Sequence, residues 1–513
     1  MGATDQADVV VVGYGPVGMA MAALLGRAGH RVVVLERYSG LYNLPRAAIF
    51  DDETMRTFAT LGIADGLLPK LHVQRNYEWR NGAGELLIEH DFAETGRCGW
   101  AEWYMMFQPE LEDALDGVCR AMPRVEVRHN SPVTAVSQDA DGATLTVDGG
   151  GRVTAPFVVA CDGGNSFVRE HLGVAEQDFG FAEPWMVCDF RFRRPVAVPT
   201  ARQVGDPDGP TSIISLGPRH HRFSFMLDSA EDFGVQCDPD KVWARVRRYL
   251  DPEDAELIRV ATYTFRSRVA ERWRVGRVLL AGDAAHQMPP FLGQGMCSGV
   301  RDAQNIAFKL DLVLRGQAHE TLLDTYQTER DPHVRAVIEK GIELGRLQTI
   351  RDPERAAARD RELLARRAAA VAPDKIRFPG LGPGMLAAGG GSLSVQGIVD
   401  DGRRRGRLDQ VVGTGFQLLV APAALDRLGD RLDALRRAGV AVAAPGRQAG
   451  PAPLVADVDG RYATWFAELG CDAVAVRPDF YVFGTASGTG VTALAEDLLA
   501  ATGPLATITR RTA

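Results

Sequence analysis

Three groups of residues in this sequence have types and spacings that could do chemistry. The first is Gly13-Tyr14-Gly15-Pro16-Val17-Gly18, a G-x-G-x-x-G run between a valine-rich segment and an apolar one. Glycine at its first position permits a tight turn, at its second lets the backbone approach a pyrophosphate, and at its third lets a helix pack closely on a strand. The helix that starts there turns unpaired N–H groups and the positive end of its dipole toward a phosphate. Glu36 ends the next valine-rich segment. A carboxylate at that place accepts hydrogen bonds from a ribose hydroxyl and repels a 2′-phosphate, so the nucleotide held is FAD or NAD, not NADP. A glycine turn kept only for packing would not need strand, helix and acid in this order.

The second group is Cys161 to Arg169, CDGGNSFVR, where Asp162 ends a buried run and a helix follows from about Ser166. By itself it reads equally as an ordinary helix cap. The third is Val278 to Leu310, in which Asp283 follows a buried strand and precedes a Gly/Pro loop, Pro289 to Gly299, that opens another helix. An acid at a strand's carboxyl end is placed to hold a polyol hydroxyl, and the helix N-terminus to stabilise negative charge on a reduced ring system. His286 reads better as a structural histidine beside the loop than as a catalytic one.

The elements that must position these groups follow from periodicity. Asp8 to Gly13 and Arg31 to Glu36 read as buried strands flanking a helix that runs to about Ala28, a βαβ opening. Helical patterns recur at about Asp52 to Leu61 and Pro109 to Arg120, and short strands fill Val125 to Val159 and end in Phe157 to Ala160. From about Phe179 to Arg268 short strands alternate with polar turns, broken by one helix near Asp240 to Leu250, which predicts a separate sheet layer inserted into the nucleotide domain. Arg277 to Gly282 is a third buried strand, and Val300, Ala303, Ala307, Leu310 and Leu314 mark the helix after it. Charged helical sequence runs to about Ala372. FPGLGPGMLAAGGG reads as a linker, and Leu393 to Ala513 carries its own α/β pattern.

Composition narrows the function classes. A chain of 513 residues predicts two or three domains. A net charge of −8 disfavours a nucleic-acid binder, and Arg403, Arg404 and Arg405 read as a solvated loop. Seven scattered cysteines with no C-x-x-C argue against zinc and disulfides and for a reducing compartment, the cytoplasm. The apolar stretch after Asp5 and Asp8 carries Gly13, Gly15, Pro16 and Gly18, so it reads as a strand–turn–helix and not as a signal or membrane segment.

Together the glycine run, PRAAIFDDETMR, ACDGGNSFVR and GDAAHQMPPFLGQGMCSGVRDAQNIAFKL carry a resemblance. The chain resembles the FAD-dependent aromatic hydroxylases typified by para-hydroxybenzoate hydroxylase, and among them the 3-(3-hydroxyphenyl)propionate hydroxylases and larger phenol-hydroxylase relatives. The likeness covers about Asp8 to Glu343 and, more loosely, the tail. It implies an α/β fold: a discontinuous Rossmann-like FAD-binding domain (1–178 and 269–375), an inserted β-sheet substrate domain (179–268), a linker (376–392) and a C-terminal thioredoxin-like α/β domain (393–513). With Cys471 as that last domain's only cysteine, redox function there is unsupported, and an interface or structural role is expected.

The resemblance implies that Gly13, Gly15, Pro16, Val17, Gly18, Glu36 and Arg37 hold the ADP half of FAD. Arg46 and Gln108 would contact the phosphate–ribityl region, and Asp283 the ribityl chain or pyrophosphate. Gly293, Gly295 and Met296 would line the isoalloxazine, and Asp162 would contact both FAD and the nicotinamide nucleotide. Pro290 would form the pocket wall near the reacting ring, with no side-chain acid or base assigned. The implied activity is a single-component monooxygenation of a phenolic small molecule by O2 through a flavin C4a-hydroperoxide, with NADH or NADPH bound transiently. A homodimer is also implied. Tyr104, His220, His221 and Arg222 are candidates for substrate contact, each read first as core or surface. The rivals are an NAD-dependent dehydrogenase, which needs no late Gly282-Asp283 motif, and a non-catalytic flavin- or ligand-binding protein. A flavin-dependent halogenase would carry W-x-W-x-I-P, which is not found.

Overall fold

Four consecutive valines, Val9–Val12, are buried on both faces and form a central strand of a six-stranded sheet. The computed structural model of the protein describes residues 5–92, 94–229, 233–373 and 375–503; positions 1–4 and 504–513 of the expected domain spans lie outside the described residues. The sheet order is Arg274–Val275, Val278–Leu280, Phe157–Ala160, Val9–Val12, Val32–Leu35 and Val125–Arg128. All neighbours pair in parallel except the first two strands. Continuous β-branched runs suit strands covered on both sides. Here the cover includes the helices Pro16–Arg27 and Gly295–Leu314, which pack on each other. The N-terminal apolar stretch is therefore strand, turn and helix, and no helix among the described residues is long and apolar enough to cross a membrane.

The second layer is an eight-stranded sheet, ordered His286–Gln287, Ala255–Ala270, Glu176–Phe192, His220–Met226, Thr211–Ser215, Ala201–Gly205, Tyr77–Asn81 and Leu86–His90. Its strands alternate as period two requires. Met186, Cys188, Phe190, Phe223 and Phe225 pack with Val242 and Val246 of the helix Pro239–Val246. Trp185, Val187, Arg222 and Ser224 face the opposite side and line a cavity. This layer reaches beyond the expected 179–268 span, because Tyr77–Asn81 and Leu86–His90 join its far edge. That pairing is long-range, so no local periodicity announces it.

The C-terminal unit is a seven-stranded sheet in which Gln417–Val420 and Ala441–Gly446 run parallel. The hairpin Ala473–Val476/Val482–Ala486 and the helix Gly490–Thr502 complete it. The expected linker does not swing free. The N–H of Gly382 bonds to Glu329 O at 2.8 Å, that of Ala387 to Phe483 O at 2.7 Å and that of Gly391 to Val482 O at 2.8 Å. Its glycines serve close packing: a Cβ at Gly390 would collide with the carbonyl of Phe483. Cys471 is a free, half-buried thiol whose pKa burial pushes up.

Candidate functional site

The residues singled out in the sequence converge because four of them follow neighbouring parallel strands at their carboxyl ends, where open α/β sheets bind ligands. In sheet order these are Asp283, Asp162, Gly13 and Glu36. At about 4.8 Å per strand step they span roughly 14 Å. Gly13 adopts φ +95°, and a Cβ there would lie 2.5 Å from Cys161 O, so only glycine fits. Gly18 abuts the carbonyl of Gly13, while a Cβ on Gly15 would meet only open space. Gly15 starts the helix Pro16–Arg27 with no side-chain cap, which leaves its first N–H groups facing the cavity. Glu36 fastens the turn to the second strand: its Oε2 accepts from Tyr14 N–H at 2.7 Å and its Oε1 from Tyr38 N–H at 2.9 Å. Each oxygen keeps a further lone pair. Arg37 is exposed and lies over the Tyr38 ring at 4.9 Å.

A cavity of about 1420 Å³ runs between this wall and the eight-stranded sheet. Asp283 lines it and forms no hydrogen bond with the described residues. The protein around its carboxylate raises its pKa, against the pull of His286 and Arg46. Arg46 lines the cavity with its guanidinium 4.3 Å from the Tyr42 ring. Gln108 also lines the cavity: its Oε1 accepts from the N–H groups of Arg46 at 3.2 Å and Ala47 at 2.6 Å, and its amide donates to Glu112 at 2.7 Å. Pro290, Gly293, Gly295 and Met296 all line the cavity, and Gly293 takes the left-handed conformation at φ +61°. Phe291 meets Trp185 of the facing sheet edge-on at 6.0 Å.

Asp162, His286, Tyr104, His220 and His221 do not line the cavity. Asp162 accepts from Ser166 Oγ at 2.5 Å and Val168 N–H at 3.1 Å, the geometry of a helix cap, and its neighbours Cys161 and Gly163 line the cavity in its place. His286 is fully buried with Nε2 2.6 Å from Asp302, which also accepts from Gly282 N–H at 3.0 Å and Arg330 at 3.1 Å. It braces the loop. Tyr104 is core: its hydroxyl accepts from Ala101 N–H at 3.0 Å and its ring stacks on Phe50 at 5.4 Å. His220 stacks on Phe107 at 3.7 Å, and His221 bonds to Pro199 O at 3.0 Å. Burial pushes both imidazoles down to about 4, so both are neutral at pH 7. Neither lines the cavity.

Arg222 does line it, and it belongs to a cluster that sequence reasoning missed. Arg222 donates to both oxygens of Asp189, at 2.6 and 3.0 Å, and to the carbonyls of Pro45 at 3.0 Å and Arg46 at 2.5 Å. Arg259 donates through Nη1 to Pro45 O at 2.8 Å and to Asp189 at 3.3 Å. Its Nε and Nη2 form no hydrogen bond with the described residues, and its guanidinium lies 5.3 Å from the Tyr263 ring, although the residue is only 7% exposed and lines the cavity. Two guanidinium groups thus share one fully buried carboxylate, which leaves one positive charge uncompensated at the cavity wall. The same cluster ties the sheet to the Pro45–Arg46 backbone, joining the two walls. Alternation in VCDFRF and RVATYTF was the available signal, but only the strand register sets Asp189 opposite both Arg222 and Arg259.

Comparison with known proteins bears on this geometry. The FAD binding domain family matches residues 6–341, and the HcaD C-terminal domain matches residues 391–501. The probable NADH-specific resorcinol 4-hydroxylase of Rhodococcus jostii (strain RHA1) is 51% identical, over 97% of this chain and 96% of its own length. The 3-(3-hydroxy-phenyl)propionate/3-hydroxycinnamic acid hydroxylase of Mycolicibacterium smegmatis (strain ATCC 700084 / mc(2)155) is 35% identical, over 82% of this chain and 78% of its own length. Among solved structures, a ternary complex of aklavinone-11 hydroxylase with FAD and aklavinone aligns with a TM-score of 0.79 at 25% identity, covering 98% of this chain and 100% of that one.

Proposed function

This chain belongs to the FAD-dependent aromatic hydroxylase family, and on that premise we propose that it hydroxylates a small dihydric phenol of the resorcinol type with NADH as the reductant. The enzyme is an FAD-dependent monooxygenase that acts on an aromatic compound. The residues present fit FAD: a glycine cradle open where a Cβ would stand, an unpartnered Asp283 carboxylate facing the cavity, and a backbone loop at its far end. Bound there, FAD would supply the hydride acceptor for the nicotinamide and the means of activating O2.

The protein's own part is binding, orientation and charge. The backbone N–H groups of Gly15, Val17 and Gly18 would hold the pyrophosphate, Glu36 a ribose hydroxyl, and Asp283 a hydroxyl of the ribityl chain. Gly293 to Met296 border the ring system, and Pro290 stands on the pocket wall. Trp185, Val187 and Phe291 give the cavity apolar surface on the side proposed for the substrate. A phenol has a pKa near 10, as tyrosine does, and a nearby positive charge lowers an acid's pKa by about 1–3 units. Arg259 holds the phenol oxygen as the phenolate, which enriches the ring carbons ortho and para to it. The surplus charge of Arg259 on the wall of the cavity that Pro290 also lines is the observation that carries this reading; the 51% identical relative supports the resorcinol class and NADH.

A second reading has its own support: the same surplus charge suits the carboxylate of a hydroxyphenylpropionate, the substrate class in the name of the 35% identical relative. The test is to follow NADH and NADPH oxidation by the yellow holoenzyme with resorcinol and with 3-(3-hydroxyphenyl)propionate, and to identify the products. Resorcinol-stimulated NADH oxidation yielding a trihydroxybenzene supports the first reading. Faster coupled turnover of the propionate replaces it with the second. A cytoplasmic homodimer without membrane or nucleic-acid partners completes the proposal, checked by fractionation and light scattering.

A further inference from the structure

The helix Gly295–Leu314 begins in the loop that borders the cavity, and polar residues recur along one side of it at four-residue steps: Arg301, Asn305 and Lys309. All three are buried, and together they reach the C-terminal domain. Arg301 donates to Gln294, the residue just before the helix, at 2.8 Å, to Glu53 at 2.7 Å, and to Asp51. Gln294 itself donates to Asp51 at 3.1 Å. Asn305 donates to Glu329 at 2.8 Å and to Asp479 at 3.0 Å, and Lys309 donates to Glu329 at 2.7 Å. Arg477 closes the group with a two-pronged contact to Glu329 at 3.0 and 2.7 Å and another to Asp479 at 3.0 and 2.6 Å. Lys309, Arg477, Glu329 and Asp479 are two cations and two anions, each at most 3% exposed.

Arg477 to Tyr481 is one turn of the C-terminal domain, and four of its residues touch the FAD-binding domain. Arg477 and Asp479 do so through the charged group. Phe480 lies under the Arg56 guanidinium at 4.2 Å, and the Tyr481 hydroxyl is 3.5 Å from Glu53. Arg56 also pairs with Asp409 of the C-terminal domain at 2.6 and 2.9 Å. Phe480 holds φ +71°, a conformation a bulky residue keeps only where its surroundings over-determine it. A buried, balanced set of charges contributes little net stability compared with apolar packing, but it fixes one geometry sharply.

We propose that the Arg477–Tyr481 turn positions the N-terminus of the helix Gly295–Leu314 against the flavin, so that the C-terminal domain tunes cofactor binding and coupling with no redox chemistry of its own. Arg477 is a positioning residue that acts through Glu329, Asn305 and Lys309. The inference rests on the reading that FAD borders Gly293 to Met296.

The experiment uses the full-length holoenzyme and its Arg477→Met, Arg477→Lys and Phe480→Gly variants. It measures the Kd for FAD by fluorescence, the visible spectrum of the bound flavin, and hydrogen peroxide formed per NADH oxidised. Arg477→Met is expected to weaken FAD binding about 10-fold, alter the flavin band and raise peroxide, with Arg477→Lys between it and wild type. Phe480→Gly accepts the turn's backbone without strain, so it remains informative if Arg477→Met fails to fold; it is expected to weaken FAD about 3-fold and raise peroxide. Variants that lose thermal stability but keep the FAD Kd, the spectrum and the peroxide ratio of wild type overturn the proposal and leave a purely structural contact. A wild-type protein that binds no FAD overturns the underlying reading instead.

Discussion

The two walls of the cavity are built on opposite principles. The nucleotide wall is largely backbone: a glycine turn, a helix N-terminus and a left-handed loop, with the charged side chains Asp283 and Arg46 on it and Glu36 fastening the turn. The sheet wall is side chains set by register, where Trp185, Val187, Arg222 and Arg259 face inward only because alternate positions on paired strands do so. A backbone wall serves a cofactor whose shape does not change. A side-chain wall can be respecified residue by residue for a different ring. On the proposed function, the cofactor follows from the first wall and the substrate from the second.

Breaking the first wall should have the largest effect. Gly13→Ala meets both a left-handed backbone and the Cys161 carbonyl. At about 3 kcal/mol of strain, FAD affinity should fall roughly 100-fold, read by flavin fluorescence. Ligand binding to whatever holoenzyme remains should be unchanged, because the sheet is untouched. Equal losses of FAD and ligand would mean that the walls are not separable.

Asp52, beside the Asp51–Glu53–Arg301 brace behind the nucleotide wall, gives the next largest effect. Burial, with the negative charge of Asp51 and Glu53 beside it, pushes its carboxyl up to about 7, against the 2.7 Å hydrogen bond it accepts from Cys98 N–H. The folded state thus holds a proton that the unfolded chain releases near pH 4. Stability falls as pH rises from about 4 to about 7 and is level above. Asp52→Asn keeps the hydrogen bond without the charge and should stabilise the protein at pH 8 by on the order of 2 kcal/mol. The gain should shrink at pH 5. An equal gain in melting temperature at both pH values would contradict the assignment.

Sharpening the second wall is subtler. Arg259→Met removes the uncompensated charge while Arg222 and Asp189 stay paired. It should weaken phenol binding about 10-fold and move the pH dependence of ligand binding upward, with FAD affinity intact. An unshifted pH profile would take the phenolate role from Arg259. The smallest effect belongs outside both walls: Cys471→Ser should leave turnover and coupling within about 2-fold of wild type, as for surface substitutions generally. A large loss would restore a redox role to the C-terminal domain.

What could be read from the sequence tracks the same division. The placement of Gly13 to Gly18, Glu36, Asp283 and Gly293 to Met296 in the fold was legible because each signal is local: a turn, a strand end, a helix start. Arg46 and Gln108, expected at one region of the cofactor, line one cavity, and the Gln108 amide is engaged with the backbone and with Glu112. Asp162 shows that a motif's most chemical residue can be the one that caps its own helix. Asp189 and Arg259 were illegible because their meeting depends on three strands coming into register. The Arg477–Glu329 contact joins two domains, and neither domain's periodicity reports it.

The hairpin Tyr77–Asn81/Leu86–His90 has a consequence for how the molecule is made. It leaves the ribosome well before Ala201–Gly205, the strand it pairs with, and before the helix Pro353–Ala368 that packs on its other edge. During synthesis both of its edges wait unpaired, and unpaired strand edges recruit other chains. Slower translation prolongs that exposure, so the yield of soluble enzyme should depend on elongation rate and chaperone supply more than on the stability of the finished fold.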